Sequence, residues 1–124
     1  GVDFVLQSFK RMQGGELFVP KIPSSYIKDL AESIAPGMPL RVIGIRPGEK
    51  LHEVMCPGDG SHLTLEFHDH YVIQPAINFG LVSNYTVNAL EEKGDLVEQG
   101  FEYTSSANSW FLTIPDLQKI IAEL

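Results

Sequence analysis

The chain has 124 residues, 44% of them apolar and 20% charged, and its 16 acidic against 9 basic side chains leave a net charge of −7. A chain of this size buries roughly two-thirds of its unfolded surface, so a core without staples and one domain spanning 1–124 are expected. The acidic balance argues against a general affinity for nucleic acid or an anionic membrane; one cysteine excludes an internal disulfide framework; and no apolar run is long enough to span a bilayer.

Val2, Val5, Leu6, Phe9 and Met12 recur at helical spacing, with Asp3 early, Lys10 and Arg11 late, and Gly14-Gly15 as the stop. The apolar face reaches the first residues without a cap, which suggests a start inside a longer element. Glu16 to Val19 reads as a strand ending at Pro20. Ser24 or Ser25 is then placed to cap a helix striped by Ile27, Leu30, Ala31 and Ile34 and stopped by Pro36-Gly37. Leu40 to Ile45 is an almost continuous apolar run, the pattern of a strand covered on both faces. This alternation predicts an α/β layer arrangement.

Cys56 to Gly60 is a turn cluster, followed by alternation at Leu63, Leu65 and Phe67 and a short apolar run at Tyr71 to Ile73, which together predict two strands. Asn78 to Gly100 has no sustained period and reads as loop-rich, with a short helix over Val87 to Lys93. Phe101 and Tyr103 alternate into a turn. The last helix opens on Thr113-x-x-Asp116, a variant of the capping box, and carries the stripe Leu117, Ile120, Ile121 and Leu124. Trp110 beside Phe111 reads as a core anchor for that helix. With no secretory signal pattern at the start, the Asn84-Tyr85-Thr86 sequon carries no weight, and the cytoplasm is the expected address.

The chemistry is densest from Gly44 to Glu53, which follows a predicted buried strand with Arg46-Pro47-Gly48-Glu49-Lys50. Arg46 can offer a planar fork to phosphate oxygens, Gly48 lets the backbone turn, and Glu49 can accept from a ribose diol. On these residues alone, a solvated turn with an incidental Arg–Glu pair is the commoner arrangement. Glu66, His68 and His70, joined by His52, form a competing constellation of metal-ligand type, weighed against ordinary histidines. Cys56 as a nucleophile would need a lowered pKa.

The ordered run from Phe4 to Ser24, then Asp29-Leu30-Ala31, Gly44 to Met55, Thr64 to Pro75, and Gly100 to Tyr103 into the last helix, resembles the C-terminal portion of bacterial inverting UDP-N-acetylglucosamine 4,6-dehydratases. These belong to the extended short-chain dehydrogenase family. The resemblance implies the C-terminal subdomain of that fold without its Rossmann half, a small mixed sheet with flanking helices of α/β class, α+β at the edges. It places Arg46 on the diphosphate and Glu49 on the uridine ribose of a weakly bound UDP-sugar. Pro57 to Gly60 and Asn78 to Gln99 depart from the family pattern. The full-length family uses NADP, held by a three-glycine loop, with a Tyr-x-x-x-Lys pair. Tyr26, Tyr71, Tyr85 and Tyr103 are followed at the fourth position by Leu30, Pro75, Ala89 and Ala107, and Gly58-x-Gly60 lacks the third glycine. No catalytic residue, cofactor contact or metal ligand is therefore assigned to this chain. The implied partners are a separate Rossmann half and further copies of the chain, met through the Val2, Val5 and Phe9 face.

Overall fold

A computed structural model describes residues 1–77 and 84–123. The chain forms two compact units, Gly1–Lys21 with Val54–Tyr103, and Ile22–Glu53 with Thr104–Leu124.

The first unit opens on helix α1, Val2–Arg11, with Asp3 in its first turn and Lys10 and Arg11 in its last, the charge order that a helix dipole favours. Phe4, Ser8 and Arg11 are the residues it shelters, whereas Val2, Val5, Leu6 and Phe9 are more than half exposed. Gly14 and Gly15 then take φ of +126° and +88°, a turn that only glycine makes without strain. It is fixed by the Glu16 carboxylate, which accepts from the Gly14 N–H at 2.6 Å, and by the Tyr85 hydroxyl, which donates to the Gly14 carbonyl at 2.8 Å.

Strand β1 (Leu17–Pro20) follows. Val54–Cys56 is β2, and a 3-10 turn over Gly58–Leu63 leads into β3 (Thr64–Glu66) and β4 (His70–Ile73). With β5 (Asp95–Leu96) they form a four-stranded sheet in the order β1-β4-β3-β5. Its ladders are antiparallel, pairing Val19 with Tyr71 and Leu65 with both Val72 and Leu96. A separate two-stranded sheet joins β2 to β6 (Tyr103–Thr104). Side chains alternate across a strand, so the interior β4 sends Tyr71 into one cluster with Val19, Cys56 and Tyr103, and Val72 into another with Leu65, Phe67 and Tyr85. This is why Tyr71-Val72-Ile73 reads as a continuous apolar run.

The second unit packs α2 (Ile27–Ile34) against α3 (Ile114–Ala122). The Thr113 capping box forms as predicted: the Asp116 carboxylate accepts from the Thr113 N–H at 2.9 Å and from its hydroxyl at 2.5 Å. Small antiparallel sheets and helices are thus realised, and the parallel element is an isolated bridge between Ser24 and Phe111.

Four local expectations are corrected. Ser24 and Ser25 do not cap α2, whose cap position is Tyr26; Ser24 is used in the bridge, donating to the Trp110 carbonyl at 2.9 Å and accepting from the Leu112 N–H at 2.8 Å. Trp110 is not a core anchor, being 55% exposed; its partly buried neighbour Phe111 makes the aromatic contact instead, stacking on Tyr26 at 5.0 Å. Leu40 to Ile45 carries no strand ladder, and Val42 is 87% exposed, since no described strand lies beside it to pair its backbone. Val87 to Lys93 is a loop closed by a Val87–Lys93 bridge. There the Asn88 side chain accepts from Leu90 and Glu92 N–H groups at 2.9 and 3.0 Å, the competition with helix that asparagine offers. Residues 78–83 of the predicted loop-rich segment, and Leu124 of the last stripe, lie outside the described residues.

Candidate functional site

The segment after Gly44 forms a tight turn in the second unit. Pro47 fixes the second position and Gly48, at φ +86°, takes the third, where a left-handed conformation favours glycine. The Glu49 N–H donates to the Arg46 carbonyl at 3.0 Å and closes the turn. In return the Glu49 carboxylate accepts from the Arg46 N–H at 2.8 Å and lies 3.6 Å from Nε of the Arg46 side chain. The structure therefore brings the two sequence-predicted residues together. The Arg46 side chain is 73% exposed and its terminal nitrogens carry no hydrogen bond among the described residues.

An open groove of about 890 Å³ runs beside the turn, lined on one part by Ile27, Val42, Ile43, Ile45 and Leu51 and on another by Gly48, Glu49 and Lys50. The groove is shallow and open, its apolar wall residues Val42 and Leu51 being 87% and 89% exposed. Its lining offers the Glu49 carboxylate, the Lys50 ammonium and apolar walls, and the Arg46 guanidinium belongs to the adjoining turn.

The competing constellation does not assemble. Glu66 ends β3, His68 sits in the hairpin turn and His70 begins β4, so the three do not share a strand face. Glu66 pairs with Lys21 at 2.7 Å and His68 is exposed. His70 is fully buried, stacked on Phe67 at 4.7 Å, with Nδ1 2.7 Å from an Asp69 oxygen. Among the described residues, no group of three or more His, Cys, Asp or Glu side chains stands ready to hold a metal.

Cys56 is fully buried, and burial pushes its thiol up to about 11, the wrong direction for a nucleophile. The Lys21 ammonium lies 4.9 Å from the centre of the Tyr71 ring, a tyrosine–lysine pair made in space rather than in sequence. Burial first, and then the charge of Glu66, push the Tyr71 hydroxyl up to about 12, so it is no base. Gly58 does not form a phosphate cradle either. Its N–H donates to the Glu102 carboxylate at 3.3 Å, and a Cβ there would meet Glu102 Cγ at 2.9 Å. The glycine makes room for a carboxylate where a dinucleotide would bring phosphate, so Gly58 does not fit the role of a dinucleotide-loop glycine and no hydride step is assigned through it.

Sequence reasoning missed a polar network in the first unit. Arg11 donates from Nε to Glu92 at 2.8 Å and from Nη2 to Asp69 at 3.0 Å and to Glu92 at 3.1 Å. Arg11 is itself buried. Burial alone would raise the Asp69 carboxyl, but hydrogen bonds from His70 and Arg11 hold it below its ordinary value. Arg11 and Asn88 do the same for Glu92. Partners so far apart in sequence leave no local signal; a basic residue where the α1 apolar stripe ends was the available hint.

A family model described as polysaccharide biosynthesis protein matches residues 1–75. Two curated relatives from Campylobacter jejuni, of serotypes O:2 and O:23/36, are each named UDP-N-acetylglucosamine 4,6-dehydratase (inverting). They are 51% and 49% identical to this chain over 98% of its length. The chain spans 36% of the length of either. The X-ray structure of Pen from Bacillus thuringiensis shares the fold with a TM-score of 0.72 at 24% identity, over 95% of this chain and 34% of that one. No helix among the described residues is long and apolar enough to cross a membrane.

Proposed function

The chain belongs to the polysaccharide biosynthesis protein family, and from that membership we propose that residues 1–124 serve as one nucleotide-sugar-binding domain of a cytoplasmic 4,6-dehydratase acting on UDP-N-acetylglucosamine. Arg46 holds the diphosphate and Glu49 takes the ribose hydroxyls. The groove beside them receives the rest of the nucleotide sugar. NADP and the bond-making groups belong to the family's Rossmann half, outside residues 1–124, and this stretch contributes positioning. The carrying observation is the preformed turn in which the Glu49 carboxylate meets the Arg46 N–H at 2.8 Å while the guanidinium stays open to a ligand. The names of the two Campylobacter relatives, matched over 98% of this chain and 36% of their own length, support the choice of substrate class.

Isothermal titration with UDP and UDP-N-acetylglucosamine tests the reading. Weak binding that disappears in Arg46→Ala is the expected result, and no heat at millimolar ligand would count against it. With NADP added, the chain alone yields no 4-keto sugar, because hydride transfer needs the nicotinamide held in contact with the reacting carbon.

A second reading rests on α1. Val2 is 75% and Phe9 66% exposed, and an apolar face of this kind seeks a partner. On this reading copies of the chain associate through α1 as a module without catalysis. Light scattering at high concentration would show a dimer, and a strict monomer would rule the reading out.

A further inference from the structure

We infer that Glu49 is a positioning residue for Arg46, acting on the diphosphate through the turn as well as on any ribose it meets. The inference rests on the nucleotide-sugar reading above and deepens it. Both oxygens of the Glu49 carboxylate are turned on Arg46: Oε2 accepts the backbone N–H at 2.8 Å, and Oε1 lies 3.6 Å from the side-chain Nε. The Glu49 N–H closes the same loop onto the Arg46 carbonyl at 3.0 Å. Arg46 is thus held at its backbone N–H and carbonyl, with its Nε facing the carboxylate beyond hydrogen-bond distance. The terminal nitrogens, on a side chain 73% exposed, remain available as the pair of donors that binds phosphate bidentately.

Pro47 and the left-handed Gly48 make this turn the resting one, so the backbone that aims the guanidinium is set before ligand arrives, and the carboxylate beside Nε narrows the side chain's search, a part of the ordering cost of recruiting it. A surface ion pair by itself contributes little. The backbone bond to a full charge is the stronger part, because a hydrogen bond to an ionised acceptor is stronger than a neutral one.

The sign of one substitution separates positioning from a ribose contact. Inorganic pyrophosphate has no ribose, and removing a carboxylate beside an anion site favours the anion. If Glu49 served the ribose alone, Glu49→Ala would bind pyrophosphate equally or more tightly. If Glu49 positions Arg46, Glu49→Ala binds it about threefold to fivefold more weakly, the loss of a charge-assisted hydrogen bond partly offset by relief of repulsion. Glu49→Gln keeps a neutral acceptor for the Arg46 N–H, so it binds pyrophosphate more tightly than Glu49→Ala does.

NMR titration of the 124-residue chain with pyrophosphate provides the measurement, and hydrogen exchange of the Arg46 amide accompanies it. The amide is protected in wild type and Glu49→Gln and exchanges faster in Glu49→Ala. Unchanged or tighter pyrophosphate binding in Glu49→Ala, or an Arg46 amide indifferent to that substitution, overturns the inference. Pyrophosphate binding that survives Arg46→Ala, or is absent in wild type, counts instead against the nucleotide-sugar reading, and the Arg46 amide then decides the positioning claim by itself.

Discussion

Replacing Arg11 by methionine keeps the aliphatic volume and removes the guanidinium that ties α1 to Asp69 and Glu92. Three hydrogen bonds to ionised carboxylates are lost, each worth about 1.5–3 kcal/mol when both ends are sheltered. Here the Asp69 and Glu92 side chains are 48% and 40% exposed, so water re-solvates and screens them, and the cost of burying the guanidinium is recovered. The net loss is about 2 kcal/mol, which for a domain of this size lowers the thermal midpoint by roughly 8 °C. Circular dichroism melts at neutral pH and low salt measure it. The acid limb supplies an independent check. Asp69 and Glu92 titrate below their ordinary values in the folded chain, so their contribution is present above the unfolded carboxylate range and lost as pH falls through the folded values. Without Arg11 both values rise, and acid unfolding begins at higher pH. A midpoint lowered by less than about 2 °C, with an unmoved acid limb, would refute the reasoning.

Burial pushes the His70 pKa below the ordinary histidine value against the opposing pull of Asp69. The unfolded chain therefore gains a proton near pH 6.5 that the folded chain resists, and the thermal midpoint falls between about pH 7 and 5.5; His70→Phe flattens that interval, and an unchanged slope would contradict the assignment. In Gly94→Ala the new Cβ sits 2.4 Å from the buried Phe67 ring, an overpacking that costs about 1–3 kcal/mol in urea unfolding; wild-type stability would show the ring free to move. Cys56 reacts with a thiol reagent at mildly alkaline pH only after denaturation, because it is fully buried and its thiol is raised to about 11; rapid labelling of the native chain would disprove this.

What was legible in the sequence was what a single segment specifies. Periodicity, charge order and the Gly14-Gly15 stop located α1, and the side chains of Thr113 and Asp116 carry their own capping geometry into α3. The Arg46–Glu49 turn was legible for the same reason, since Pro47 and Gly48 dictate it locally. Leu40 to Ile45 was misread because hydropathy reports which side chains favour burial and says nothing of what buries them. The apparent Glu66, His68, His70 face failed because alternation holds along a strand and breaks at a hairpin turn. The Arg11 network joins residues 58 and 81 positions apart, beyond the reach of any local pattern.

The central claim, a nucleotide diphosphate held at the Arg46–Glu49 turn, is tested most directly by titrating the isotopically labelled chain with UDP and following every backbone amide. The account predicts that shifts concentrate on residues 44–50 and vanish in Arg46→Ala. Shifts centred on Glu66, His68 and His70, or a 44–50 segment that does not respond, would contradict it.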